Sequence, residues 1–125
     1  MPDRGFTRHA RLLLAVFSLI AVFPAVAASA HAILVASQPP EGGTVPTGEA
    51  HFNLRFNSRI DRMRSRVVLT SPDHTQITMP ILAEGKPDEI NASATLVPGA
   101  YVLRWQVLAI DGHITRGDIA FTVGP

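Results

Sequence analysis

Cysteine is absent from all 125 residues. That absence excludes thiolate metal sites, dithiol redox centres, cysteine nucleophiles and disulfides, and leaves stability to a packed core and any bound ligand. An excess of charge of one sign is missing too. Residues 31–125 carry eight Lys/Arg against nine Asp/Glu, so there is no basic field for nucleic acid and no polybasic patch for a membrane surface. Long apolar runs are also lacking. The longest, residues 12–23, has about a dozen positions where a bilayer span needs roughly 20.

The short apolar run has a different meaning. It follows Arg4, Arg8 and Arg11, is broken by Pro24, and gives way to small residues ending in Ala28-Ser29-Ala30. A basic start, a short apolar middle and a small-residue ending form an export signal. Residues 1–30 are therefore expected to be a cleaved signal peptide, and residues 31–125 one small domain with one core. The processed chain is expected to be a soluble periplasmic monomer with no membrane insertion. Cleavage after Ala30 makes His31 the first residue. A free N-terminal histidine offers its α-amine and its imidazole to a single metal ion.

Beyond residue 30 the pattern is one of short strands between turn residues. Residues 32–37 are apolar and β-branched, and Gln38-Pro39-Pro40-Glu41-Gly42-Gly43 reads as a turn. In residues 49–57, Phe52, Leu54 and Phe56 alternate with His51, Asn53 and Arg55, the period of a half-buried strand. Residues 66–70 and 90–97 read as strands. Residues 76–83 are a weaker strand, confined by Pro80 to an edge or a bulge. In residues 100–110, Tyr101, Leu103, Trp105 and Val107 share one face, and Ile119, Phe121 and Val123 alternate in residues 116–123. The basic stretch 58–65 reads as a connection able to hold a helical turn, with Arg59, Arg62, Arg64 and Arg66 solvated. About seven short strands with turns between them predict an all-β fold, an antiparallel β-sandwich, with a small open barrel as the alternative.

Between the two best-patterned strands stands Asp111-Gly112-His113. By itself this is an ordinary turn, since Asp-Gly suits a type I′ hairpin. With His31 it becomes a ligand set of an amine, two imidazoles and a carboxylate. Such nitrogen-rich sets suit tetragonal Cu(II), which heads the divalent affinity order, although Zn(II) takes the same ligands tetrahedrally. Asp111 and His113 are two apart, so on an extended backbone they would share a face. Met63 and Met79 lie too far apart to form the soft thioether cluster that Cu(I) prefers. His51 and His74 read as surface residues, and Trp105 as a core anchor.

These residues resemble the CopC family of exported copper-binding proteins, its YobA branch included. The resemblance spans residues 31–125 and rests on His31-Ala32, on Glu41-Gly42 in a Pro-rich turn, and on Leu54-Arg55-Phe56. It is densest from Pro98-Gly99-Ala100-Tyr101 through Trp105, Asp111-Gly112-His113 and Gly117 to Phe121-Thr122-Val123. It implies a single seven-stranded Greek-key sandwich, immunoglobulin- or cupredoxin-like, that binds one Cu(II) ion per chain through His31, Asp111 and His113. It also implies a non-enzymatic role in copper resistance or homeostasis beside a CopD-type inner-membrane partner. Many members carry a Glu just after the Phe of the second strand, where this chain reads Phe56-Asn57-Ser58-Arg59 with no carboxylate, and a Pro after the His, where it has Ile114-Thr115. Two other readings follow from the same residues. One is a copper-dependent oxidative enzyme of monooxygenase type using the N-terminal histidine, disfavoured by a single Trp and a single Tyr. The other is a metal-free immunoglobulin-like interaction module in which the turn is only a turn.

Overall fold

The computed structural model describes residues 31–125, and the export signal expected over residues 1–30 lies outside them. Eight strands follow one another: β1 (Leu34–Gln38), β2 (Gly43–Pro46), β3 (Gly48–Phe56), β4 (Ile60–Thr70), β5 (Gln76–Met79), β6 (Glu89–Leu96), β7 (Gly99–Ala109) and β8 (Ile114–Gly124). They form a three-stranded sheet, β1-β3-β6, packed on a five-stranded sheet, β2-β8-β7-β4-β5. The two linked pairs β3–β4 and β6–β7 interlock, because β3 pairs with β6 while β4 pairs with β7. This is Greek-key connectivity across a sandwich, and the open barrel is set aside.

The alternations seen in the sequence point where they should. Phe52, Leu54 and Phe56 of β3 meet Leu103, Trp105 and Val107 of β7 and Ile119, Phe121 and Val123 of β8 in one buried cluster. Within it, Phe56 stands edge-on to Trp105 with ring centroids 5.2 Å apart, and Phe52 edge-on to Phe121 at 5.7 Å. At the start of β7, the buried Tyr101 turns its hydroxyl onto its own approach. It donates to the Val97 carbonyl at 2.9 Å and accepts from the Val97 N–H at 3.2 Å. This tyrosine corner fixes the crossing from β6 to β7.

Three local expectations change. Gly43, expected to end the turn, instead opens strand β2, whose residues 43–46 pair parallel with residues 121–124 of β8, so the sandwich has an eighth strand and one parallel ladder. Gly42 N–H donates to the Ala120 carbonyl, and the Glu41 carboxylate accepts from Ala120 N–H, both close to 2.8 Å. Residues 58–65 hold no helical turn. β4 starts at Ile60, pairs Asp61 with Leu108, and regains the ladder only at Arg66 opposite Gln106. The extra residues form a bulge closed by Ser65, whose hydroxyl donates to the Asp61 carbonyl and accepts from Leu108 N–H. Arg62, expected to be merely solvated, donates to the Lys86 carbonyl at 2.7 Å and ties down the loop before β6. β5 lies at the sheet edge and stops before Pro80, whose missing N–H ends the ladder.

Candidate metal centre

The β7–β8 hairpin places two of the three expected ligands. Its loop is Ile110-Asp111-Gly112, closed by Gly112 N–H to the Ala109 carbonyl and by Ala109 N–H to the His113 carbonyl. Gly112 takes φ +88°, and Asp111 is not in the positive-φ region, so the turn is not the type I′ expected of Asp-Gly. It is a three-residue loop whose last position needs the left-handed region that glycine enters freely. Asp111 and His113 therefore meet around a turn rather than along a straight strand.

Asp111 holds the turn through both carboxylate oxygens. Oδ1 accepts the His113 N–H at 3.0 Å, and Oδ2 lies 2.9 Å from His113 Nδ1. The His113 backbone bond holds the Asp111 carboxyl below the usual carboxylate range; partial burial opposes it, and the His113 ring bond and the charges of the neighbouring imidazoles add to the lowering. An ionised carboxylate only accepts hydrogen bonds, so the ring nitrogen facing it is the donor of that contact. A carboxylate on a histidine N–H is a common way to fix a ligand's tautomer and orientation.

His31 arrives from the other end of the chain. Its Nδ1 stands 4.0 Å from Asp111 Oδ2, and its ring packs edge-on to that of His113 with centroids 4.3 Å apart. Ligand atoms of His31, Asp111 and His113 all lie within 4.8 Å of one another. An ion with bonds of about 2 Å separates opposite ligands by about 4 Å, the scale of the 4.0 Å between His31 Nδ1 and Asp111 Oδ2. The site opens to solvent: the His31 and His113 side chains are 46% and 62% exposed, and Asp111 between them 23%.

What brings His31 here was not foreseen. Ile33 N–H donates to Asn57 Oδ1 at 2.8 Å, and Asn57 N–H donates to the Ile33 carbonyl at 2.9 Å. The Thr115 hydroxyl donates to the Ala32 carbonyl at 2.7 Å. Both polar residues are plain in the sequence, but nothing local says that they face the start of the domain. The remaining histidines stand apart: His51 lies 3.7 Å from Glu49 and is 77% exposed, and His74 occupies the turn before β5 with φ 67°. Met63 is 94% exposed on the β4 bulge, while Met79 is core. Trp105 is buried over Gly117 rather than presented at the centre.

Comparison with known proteins agrees with this architecture. The CopC domain model matches residues 34–124. The copper resistance protein C of Xanthomonas campestris pv. juglandis is 30% identical over 117 residues, covering 86% of this chain and 91% of that one. Protein YobA of Escherichia coli K12 is 28% identical over 120 residues, covering 93% and 95%. Among solved structures, CopC from Methylosinus trichosporium OB3b superposes with a TM-score of 0.70 at 28% identity, over 76% of this chain and 95% of that one. PcoC from Escherichia coli, at 20% identity and a TM-score of 0.63, shares the fold.

Proposed function

This chain belongs to the CopC family, and from that premise we propose that it is an exported Cu(II) carrier or buffer serving copper resistance or homeostasis. One ion binds per chain. His31 supplies its imidazole and, once residues 1–30 are removed, its α-amine; Asp111 and His113 supply a carboxylate and a second imidazole. The observation that carries this reading is the convergence of His31 with the Asp-Gly-His turn, within 4.8 Å, at one exposed end of the sandwich.

The chemistry of the set supports copper. Two imidazoles, an amine and a carboxylate are borderline-hard donors suited to a tetragonal divalent ion. Met63 and Met79 are in different surroundings, one exposed and one core, so no thioether pair competes with that preference. Copper here is cargo. An open centre lets the ion enter and leave without unfolding, as a carrier requires. Tyr101 and Trp105 are both buried, which leaves the centre without these aromatics as a platform for a large substrate, and transport is the better assignment than oxidation. A CopD-type inner-membrane protein is the proposed partner for the released ion.

The test is a Cu(II) titration of the chain beginning at His31 beside one carrying a single extra residue before it. A competing chelator reports affinity and EPR reports the ligand atoms. Tight, nitrogen-rich binding that the extra residue weakens is the expected result. Equal, weak binding by both proteins rejects the centre.

A further inference from the structure

We propose that Asn57 and Thr115 are positioning residues for this centre, which lock the register of the segment after His31 so that only a chain starting at residue 31 sets its α-nitrogen at the ion. The inference rests on the reading of the centre as a Cu(II) site and adds the device that builds it.

Regular pairing does not reach the start of the domain. β1 begins at Leu34, and its ladder with β3 already shifts register between Leu34 and Ala36. Beyond the ladder a single backbone bond, Asn57 N–H to the Ile33 carbonyl, continues to Ile33, and side chains add the remaining ties. Asn57, just past the end of β3, holds Ile33 from both sides, through its amide oxygen and its own N–H. Thr115, two residues beyond His113 in β8, holds the Ala32 carbonyl. The segment is thus tied to both sheets, and one tie starts beside a ligand.

Packing makes the register strict. Ala32 is completely buried, whereas Ile33 is 59% exposed. A slip by one residue exchanges faces and drives the Ile33 side chain into a space that holds a methyl group. The Asn57 amide oxygen is engaged by the Ile33 backbone. The chain thus uses that position to aim His31. A ligand aimed in advance binds more tightly because less freedom is lost on binding.

The test uses Cu(II) alone as probe, on proteins beginning at His31. Thr115→Val removes a hydroxyl at nearly constant shape, Asn57→Ala removes the amide, and Thr115→Ser restores a donor. Each loss is expected to weaken Cu(II) binding about fivefold to tenfold, the scale of one hydrogen bond. EPR should change in the nitrogen couplings, and Thr115→Ser should recover both readouts. In the double variant, the penalty for one extra N-terminal residue should shrink, because an unlocked segment no longer reads chain length. Urea midpoints separate this from unfolding. The unaltered protein gives a further check, since the Ile33 and Asn57 amides should exchange slowly with solvent.

Wild-type affinity, EPR and extension penalty in both single variants overturn the proposal, as does rapid exchange at Ile33. Absence of Cu(II) binding by the unaltered protein overturns the copper reading and this inference with it. Retained copper binding with indifferent variants overturns the inference alone.

Discussion

Asp111 carries charge, turn geometry and a candidate ligand in a single side chain, so its substitutions separate those roles. Asp111→Asn keeps an oxygen for the His113 N–H but loses the charge, and it should leave the fold unchanged while weakening Cu(II) binding. Asp111→Ala and His113→Ala remove a donor outright and should weaken Cu(II) binding by about 100-fold or more, beyond the roughly 10- to 100-fold typical of outer-shell changes. Competition titration checks all three, and wild-type affinity in the alanine variants would show the site to be misassigned. Tyr101 offers a residue-scale test of the fold. Tyr101→Phe removes one hydroxyl that bonds both polar groups of Val97. The cost should be about 1–3 kcal/mol in urea unfolding, with Cu(II) binding unchanged, because two partly buried backbone groups lose their partner.

The β7–β8 hairpin is the element that joins core and centre. At the Trp105–Gly117 pair, a Cβ on Gly117 would meet the indole ring at 2.5 Å. Gly117→Ala should therefore destabilise by about 1–3 kcal/mol through forced repacking, read as a lower urea midpoint. One register step further, Arg104 grips Asp118 with two bonds of 2.8 and 3.0 Å. The bonds and charge of Arg104 hold the Asp118 carboxyl below its ordinary value. A lowered carboxyl pKa stabilises the fold above the unfolded value and loses that contribution as pH falls through the folded one. The pair is largely exposed, so the effect is small. Asp118→Asn should lower stability slightly at neutral pH, with the difference from the unaltered protein closing as pH falls below about 4, as followed by urea midpoints against pH.

For the whole molecule, the core is independent of the ion. Among the described residues, twenty buried apolar side chains form one cluster, with the proposed centre at its rim. Removing copper with a chelator should leave the circular dichroism unchanged and lower the melting temperature. At free Cu(II) about 100 times its dissociation constant, binding to the folded state alone should add about 2.7 kcal/mol. Copper ligands must give up their protons, so affinity should fall as pH drops, and the stabilisation should fade in the same direction in paired melts.

The sequence by itself determined whatever depends on near neighbours. Alternation in residues 49–57 and 100–107 dictated which side chains line the core, because a strand's two faces follow from its period. Asp111-Gly112-His113 was legible as a turn carrying two donors for the same local reason. Its turn type was not, since Asp-Gly is compatible with more than one loop and the hairpin register chose a longer one. Strand β2 was hidden because Gly43 and Pro46 read as breakers, and its partner β8 lies far along the chain, with Thr44 bonded to Thr122. The bulge in β4 was hidden because only pairing with β7 reveals unmatched residues. The meeting of His31 with Asp111 and His113 was decided by tertiary structure alone. It depends on Asn57 and Thr115 gripping two backbone residues from opposite sheets, a contact between segments remote in sequence that no local pattern encodes.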